Sequence, residues 1–149
     1  MHSSVYVEEF HTKFGHPVST QPNVADSKLR LLRVRLIAEE LCELCEALDI
    51  RMRIEAVNGE YNVDLVDNGG STNIVEAADA LGDLDYVVQG AMLVFGFPAE
   101  AIIKEIHNSN MSKLGEDGKP IYREDGKIVK GPNYWKPDIA RVLWPEHFE

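Results

Sequence analysis

Residues 36–48 read LIAEELCELCEAL, and residues 79–97 read DALGDLDYVVQGAMLVFGF. In both stretches apolar residues recur at intervals of three and four, which is the spacing of an amphipathic helix. Acidic residues stand among them at spacings that return to one side of the helix. The two stretches therefore predict a pair of long helices with facing acidic surfaces, in an all-α fold built as a helical bundle with a small C-terminal hairpin.

Asp26 and Ser27 are good N-caps, and either can begin the first long helix. Helical apolar spacing continues past residue 50 to Met52, so the helix is predicted to end near Val57, where Asn58-Gly59 supplies a stop. Residues 60–72 are predicted to be a connector that holds a short strand or an irregular turn. The other predicted elements are a helix over 5–14, a helix over 73–96 capped by Ser71 or Thr72, a helix over 99–114 after Pro98, a hairpin around Asp125-Gly126 and a last helix near 138–143.

The charge balance limits the classes of partner. The 149 residues include 25 acidic and 15 basic side chains, for a formal net charge of −10, and this length fits a single domain over residues 1–149. A surface for a nucleic acid polymer is not expected, because such surfaces gather Lys and Arg against phosphates. No apolar run reaches the roughly 18 residues of a membrane span, and the first residues lack the features of a signal peptide. We therefore expect a cytoplasmic protein that binds neither nucleic acid nor membrane.

Cys42 and Cys45 lie three residues apart in an apolar helical stretch. No second pair of cysteines and no nearby histidine completes a zinc site. The βαβ context of a redox C-x-x-C motif is also missing. We therefore interpret both thiols as small side chains that fill the core.

The first acidic group is Glu39-Glu40-x-x-Glu43-x-x-Glu46. Helical geometry places Glu39, Glu43 and Glu46 on one face, with Glu40 within reach of Glu43. Like charges at these spacings weaken a helix by roughly 0.2–0.5 kcal/mol per pair. Taken alone, this group fits a solvated acidic stripe as well as it fits a binding site.

The second acidic group, Glu76-x-x-Asp79-x-x-x-Asp83, lies in the most apolar helix of the chain. Carboxylates in such a helix are seldom buried unless they are paired or bound to a metal. Two facing sets of carboxylates form an oxygen-rich cage that suits a hard cation, Mg²⁺ or its substitute Mn²⁺. Because histidine is scarce near this group, we predict a magnesium site and not a zinc or di-iron site.

Basic residues that could hold a phosphate lie near the end of the sequence. Asn110 and Lys113 are i, i+3 partners at a predicted helix end, and Arg123 and Lys130 flank the predicted hairpin. A triphosphate needs such cations in addition to metal ions. The alternatives are dipole complementation for Lys113 and a solvated hairpin face for the other two basic residues. Three aromatic residues could stack on a base or pack the hairpin onto the bundle: Tyr122, Tyr134 and Trp135.

These motifs resemble the all-α nucleoside triphosphate pyrophosphohydrolases, a superfamily that includes MazG proteins, dimeric dUTPases and phosphoribosyl-ATP pyrophosphohydrolases. LIAEELCELCEAL is similar to the first metal helix of the superfamily, and DALGDLDYVVQGAMLVFGF to the second. The segment HNSNMSKLGEDGKPIYREDGKIVKGPNYWKPDI is similar to the nucleotide-contacting tail of the MazG-like, phosphoribosyl-ATP-pyrophosphohydrolase-like branch. The resemblance covers most of the chain and implies a bundle completed by self-association, as a homodimer or homotetramer.

The resemblance also implies an activity. It implies Mg²⁺-dependent cleavage of a (deoxy)nucleoside triphosphate to the monophosphate and pyrophosphate, in housekeeping of the nucleotide pool. On the first helix it implies metal ligation by Glu40 and Glu43, and it gives Glu39 a role with a further metal or with the attacking water. Two alternatives stay open: a dedicated phosphoribosyl-ATP pyrophosphohydrolase, and a catalytically inactive relative that binds nucleotides.

On the second helix the resemblance is less regular. The invariant aspartate of the superfamily matches Asp83, whereas the glutamate that usually stands three residues earlier is Ala80 here. Asp79 lies on the same face as Asp83 and is implied as the substitute ligand. Glu76, one turn earlier, is the other candidate for that position.

Overall fold

The computed structural model describes residues 2–148, which are mostly helical. α2 and α3 pack against each other as a helical hairpin, and α1 packs on α3. The predicted helical fold is confirmed as a mostly helical chain, which also contains a small two-stranded antiparallel sheet. In chain order the elements are α1 (Ser4–Phe14), α2 (Ser27–Ala47), β1 (Ile50–Val57), β2 (Glu60–Asp67), α3 (Ile74–Phe95), α4 (Ala99–Met111), α5 (Ile139–Leu143) and a 3-10 turn (Pro145–His147).

Side-chain caps fix where the two long helices begin. Asp26 accepts a hydrogen bond at 2.8 Å from the N–H of Leu29, which confirms the predicted start of α2. The predicted cap of α3 is wrong, because the side-chain oxygen of Asn73, and not Ser71 or Thr72, accepts from two N–H groups of the first turn. Asn is as good an N-cap as Ser, so sequence alone does not choose among three neighbouring candidates.

The prediction that α2 continues to Val57 is wrong. The helix ends at Ala47, and Asp49 then takes a left-handed conformation with a φ of 53°. Beyond it apolar and polar residues alternate with a period of two, which suits a strand better than a helix. Asn58 and Gly59 have φ values of 52° and 80°, as the two central residues of a tight hairpin turn require. The second strand, β2, confirms the alternative of a strand in the connector that follows.

β1 and β2 form a ribbon, residues 50–67, with one apolar and one polar face. Directly opposed residues of antiparallel strands share a face. The cross-strand pairs Met52–Leu65 and Ile54–Val63 therefore lie on the same side of the ribbon. Leu65 remains 61% exposed. A lone two-stranded hairpin is at best marginally stable in water. The ribbon therefore needs packing on its apolar face, and a single chain leaves that face exposed.

The C-terminal third is close to the prediction. Gly96, with a φ of 65°, ends α3, and α4 ends at Met111, three residues before its predicted end. Tyr122 and Ile128 form an antiparallel bridge, which confirms the predicted small hairpin. α5 confirms the last predicted helix, with the Asp138 side chain accepting from a backbone N–H of its first turn.

A single chain buries little of its apolar surface. Its accessible surface is 11,040 Å², whereas a compact monomer of 16.7 kDa has about 7,600 Å². Cys42 is exposed and Cys45 is half-buried, so the prediction that both thiols fill the core of the chain is wrong. The buried apolar residues are Val7, Ala47, Ala77, Ala80, Ala91, Val94 and Ile102.

Within residues 2–148, no single helix combines the length and the apolar composition needed to cross a membrane. α3 and α4 meet that test only when they are taken together, across a bend of 112°.

Candidate metal and nucleotide site

The two long helices run antiparallel and bring the acidic groups together. At one end of the pair, the N–H of Asn73 donates to the carbonyl of Ala47 at 2.8 Å. At the other end, Gly90 lies so close to Arg33 that a Cβ on the glycine would stand 3.1 Å from the Nη1 atom. The acidic residues of α2 and α3 lie between these two contacts.

Glu40 is at the centre of the acidic site. Its side chain is half-buried, and its Oε2 atom is shielded from solvent without a hydrogen-bond partner. Burial raises the pKa of Glu40, and the charges of four carboxylates raise it further; in decreasing order these are Glu43, Asp83, Glu39 and Asp79. Among the described residues, the charges that act on Glu40 are all negative. The site therefore gathers repelling charge around a carboxylate oxygen that lacks a partner.

Positions 79 and 80 on α3 differ in exposure, and position 80 is where the superfamily usually has a glutamate. Ala80 is only 3% exposed, because it faces the packed interior of the helical hairpin. Asp79 is exposed, and its charge reaches Glu40. Glu76 does not act on Glu40 but lines an open cleft of about 440 Å³ together with Glu43. The geometry thus favours Asp79 beside Glu40 and gives Glu76 a place on the other side of Glu43.

The donor set fits a hard divalent cation. The four charged side chains that act on Glu40 all offer carboxylate oxygen, which is the ligand type of Mg²⁺ and Mn²⁺. The orphaned Oε2 atom of Glu40 needs a donor or a cation, because an unsatisfied buried polar atom is costly. Within residues 2–148 no three His, Cys, Asp or Glu side chains are arranged closely enough to enclose a metal ion.

Asn110 and Lys113 come together at the end of α4. The Lys113 Nζ atom donates to Asn110 Oδ1 at 2.8 Å, so the two side chains of the i, i+3 pair meet at one point. Both residues line an apolar cavity of about 440 Å³, with Pro120 and Ile128 on its other side. Neither side chain hydrogen-bonds to an acidic residue of α2 or α3 in the part of the chain that the structure describes.

The two basic residues near the hairpin have local partners. Arg123 donates two hydrogen bonds to Asp125, and this ion pair raises the pKa of Arg123 and lowers the pKa of Asp125. The Nζ atom of Lys130 lies 4.7 Å from the centre of the Tyr134 ring. The structure therefore assembles the acidic site and the α4 pair separately, and does not join Arg123 or Lys130 to either one within a single chain.

An aromatic cluster that the sequence did not predict lies between α1 and α3. We call Phe10, Phe14, His16 and Tyr86 the aromatic cluster. The ring of Phe10 lies at its centre, with ring centroids 4.3 Å from Phe14, 5.8 Å from His16 and 5.9 Å from Tyr86. The available signal was the pair of phenylalanines at i, i+4 on a short helix.

Two buried basic side chains lie next to this cluster. His11 is 2% exposed, and its Nδ1 atom is 2.9 Å from the carbonyl of Pro17. Burial lowers the pKa of His11, and the nearby charge of Arg33 lowers it further. Arg33 is 4% exposed, and its Nε and Nη2 atoms have no hydrogen-bond partner among the described residues. Burial lowers the pKa of Arg33 as well.

These features define a helical protein with a carboxylate-lined site between two antiparallel helices. A profile of the family described as "Phosphoribosyl-ATP pyrophosphohydrolase" matches residues 7–110. The match spans well over half of the chain and includes both acidic helices. The chain belongs to this family, and with it to the all-α NTP pyrophosphohydrolase superfamily.

Two further similarities concern sequence and fold. An uncharacterised protein of Acanthamoeba polyphaga mimivirus is 29% identical over 128 residues, which cover 83% of this chain and 40% of the viral protein. This chain therefore spans less than half the length of that relative. A crystal structure from Exiguobacterium sp. 255-15, provisionally assigned as an NTP pyrophosphohydrolase, has a TM-score of 0.49 and 22% identity, and the similarity covers 99% of this chain and 97% of the other.

Proposed function

We propose that this pyrophosphohydrolase cleaves (deoxy)nucleoside triphosphates to monophosphates and pyrophosphate with Mg²⁺, as part of nucleotide-pool housekeeping in the cytoplasm. The observation that carries the proposal is the unpartnered Oε2 atom of Glu40 among four repelling carboxylates. Such an arrangement is unfavourable for an apoprotein, because buried charges need a partner. A divalent cation would supply that partner and would also bring an anionic substrate to an acidic surface.

Glu40, Glu43, Asp79 and Asp83 would hold the metal, with Glu76 as a further ligand near Glu43. The metal would neutralise charge on the phosphate oxygens and lower the pKa of a bound water. Mn²⁺ would support the reaction as a substitute, since both ions accept all-oxygen ligand sets. The exposed carboxylate of Asp79 supports its place in this set over any side chain at the buried position 80.

Glu39 would act as the general base. It is exposed on α2 next to Glu40, and its charge reaches that residue. In the proposed step Glu39 takes a proton from water while the water oxygen bonds to the α-phosphorus. The bond from the α-phosphorus to the bridging oxygen breaks, and its electron pair leaves with pyrophosphate. The products are a nucleoside monophosphate and pyrophosphate, and the protonated Glu39 returns its proton to solvent.

Asn110, Lys113, Arg123 and Lys130 are proposed to contact the substrate. Asn110 and Lys113 support this role best, because their mutual hydrogen bond holds both polar ends at one point. The positive charge of Lys113 at that point would offset negative charge that develops on the leaving pyrophosphate. Arg123 would have to exchange its contact with Asp125 for one with phosphate.

The experiment that tests the activity is pyrophosphate release from a panel of NTPs, dNTPs and phosphoribosyl-ATP, in Mg²⁺, in Mn²⁺ and in EDTA. We expect release that needs the metal and disappears in Glu43→Gln and Asp83→Asn. The family match makes phosphoribosyl-ATP the second candidate substrate, and a clear preference for it would replace the housekeeping role. If folded, metal-loaded protein releases no pyrophosphate but still binds nucleotides, the chain is an inactive relative.

We further propose that the protein is a homodimer, or a homotetramer built from dimers. α2 carries an outward apolar seam with alternating spacings of three and four: Leu31, Val34, Ala38, Leu41 and Cys45. Leu31 and Val34 are 65% and 66% exposed, although this spacing is typical of a helix–helix contact. The surface of one chain exceeds that of a compact monomer by about 3,400 Å². Obligate dimers bury roughly 2,000–5,000 Å² or more in total over both partners, so a second copy would cover much of this excess and complete the bundle.

A further inference from the structure

A cavity of about 490 Å³ opens where α1, α3 and the start of α4 meet. Its wall is mostly apolar and includes Met92, Leu93, Phe97 and Pro98. Sites for small molecules have this size and a mainly apolar wall, in which a few polar groups fix the ligand. Met92 follows Asp83 by nine residues on α3, which is about 13.5 Å along the helix axis. The cavity is therefore separate from the acidic site.

Gln89 is a buried polar residue in the wall of this cavity. It is only 8% exposed. Its Nε2 atom donates to Asp85 Oδ1 at 3.2 Å, whereas its Oε1 atom has no hydrogen-bond partner among residues 2–148. The contact with Asp85 fixes which end of the amide is the nitrogen, because a carboxylate only accepts. An unsatisfied buried acceptor is costly, so this wall favours a ligand that donates a hydrogen bond.

The charged groups around the cavity favour a cation. Glu8 lines it from α1, and Glu100 and Lys104 line it from α4, so two carboxylates face one ammonium. Glu100 also stands in the first turn of α4, where its charge offsets the positive end of that helix. The net charge of −10 adds a long-range attraction for positive ligands. The cavity therefore combines an unsatisfied acceptor in its wall with a net negative rim.

We propose that this cavity binds a small molecule that has an apolar body and one ammonium group. The ammonium donates to Oε1 of Gln89, and Glu8 contributes a favourable charge from the rim. The last torsion of a glutamine is broad, so the amide turns its oxygen toward the ligand at little cost. The apolar body covers Met92, Leu93 and Phe97. This site is independent of the proposed hydrolysis, because it shares no residue with the acidic site.

Isothermal titration calorimetry with two probes tests the proposal. The probes are n-hexylammonium and hexanoate, which carry apolar chains of similar length and opposite charge. Only the ammonium can donate to Gln89. We expect the wild type to bind hexylammonium at least about tenfold more tightly than hexanoate, since a hydrogen bond to a charged group accounts for a factor of this size. The titrations contain Mg²⁺, so that another cation competes for the acidic site.

Four variants assign the binding to this cavity. Gln89→Leu removes the acceptor at nearly constant volume, and it should weaken hexylammonium binding about tenfold without weakening hexanoate binding. Glu8→Gln leaves the cavity wall intact and should weaken hexylammonium binding about two- to fivefold, as expected for an exposed charge. Glu9→Gln is its matched control, because Glu9 is an exposed neighbour on α1 outside the cavity wall. Glu9→Gln and Glu43→Gln, the latter in the acidic site, should bind hexylammonium as the wild type does.

Three results would overturn the site. The first is equal affinity of the wild type for the two probes, or no binding of either. The second is unchanged hexylammonium affinity in both Gln89→Leu and Glu8→Gln. The third is loss of hexylammonium binding in Glu43→Gln, which would show that the ammonium occupies the acidic site instead.

Discussion

Glu40 and Asp83 oppose each other across the contact between α2 and α3 as two carboxylates that repel. Burial raises the pKa of Glu40 most, and Asp83 is the second of the charges that raise it, after Glu43. Glu40 also keeps one oxygen shielded and unpartnered. The charge of Glu40 therefore destabilises the metal-free protein, and the same charge would bind a cation.

Replacing Glu40 should change stability and activity in opposite directions. We expect Glu40→Gln to raise the free energy of unfolding of the metal-free protein by about 1 kcal/mol, because it removes an unpaired charge. The same substitution should lower kcat/KM at least about 100-fold. Even mutation of a residue that only hydrogen-bonds to a metal ligand lowers metal affinity or activity by roughly 10–100-fold. Urea unfolding in EDTA and initial rates in Mg²⁺ measure the two effects.

Glu46→Gln is the control for this pair of measurements. Glu46 is exposed on the same helix and is not among the charges that act on Glu40. Its replacement should change stability by less than about 0.5 kcal/mol. A Glu40→Gln protein that is less stable than wild type in EDTA would contradict the repulsion described here.

Restoring the usual glutamate of the superfamily should not improve the enzyme. Ala80 is buried, so Ala80→Glu would force a longer, charged side chain into the contact between α2 and α3. We expect a loss of about 3 kcal/mol in the free energy of unfolding, from overpacking and from burial of a carboxylate. Thermal and urea unfolding measure the loss, and Ala101→Glu on an exposed face of α4 provides a tolerated substitution for comparison. A stable Ala80→Glu protein with higher activity would show that position 80 reaches the metal.

Stability should depend on pH through His11. Because its folded-state pKa is lowered from 6.5, the unfolded chain binds the proton more readily. Stability is therefore fully present above pH 6.5 and is lost as the pH falls toward the folded-state value, by at most roughly 1.4 kcal/mol per pH unit. His11→Gln should flatten this part of the stability curve in urea unfolding between pH 5 and pH 7 (roughly the window in which His titrates). His107→Gln, an exposed control, should keep the wild-type slope, and an unchanged slope in His11→Gln would contradict the assignment.

The ribbon should contribute to self-association through its apolar face. Leu65 and Asn62 lie on opposite faces of β2 and are both exposed. We expect Leu65→Ser to weaken the proposed dimer at least about tenfold, because it removes roughly 1.5 kcal/mol or more of apolar burial. Asn62→Ser should leave the dimer unchanged. Sedimentation equilibrium over a range of protein concentrations measures both dissociation constants, and equal constants would show that the apolar face lies outside the interface.

Much of the fold could be predicted because local signals agreed with the tertiary structure. Asp26 begins α2 and Gly96 ends α3 as their residue types indicate. The sequence does not predict the first strand of the ribbon, because Met52 fits helical and strand spacing equally well and Asn58-Gly59 also fits a helix stop. The same dipeptide flanked by alternating apolar residues is a strong hairpin signal.

The acidic site was more predictable than the rest of the candidate site. Spacing on one helix fixes which carboxylates share a face, so the proximity of Glu40 to Glu43 follows from sequence. The approach of Asp83 required the packing of α2 on α3. The aromatic cluster required the direction of α1 relative to α3, and the burial of Arg33 depended on the close contact at Gly90. No local pattern encodes such contacts between separate helices.

The base of the ribbon is closed by its own hydrogen bonds. Asn68 and Gly70 donate from their backbone N–H groups to the carbonyl and the carboxylate of Asp49, and Asn73 donates to Ala47. The two helices on either side are therefore already joined at the point where the ribbon leaves them. A shorter ribbon would therefore leave the acidic residues of α2 and α3 in the same alignment.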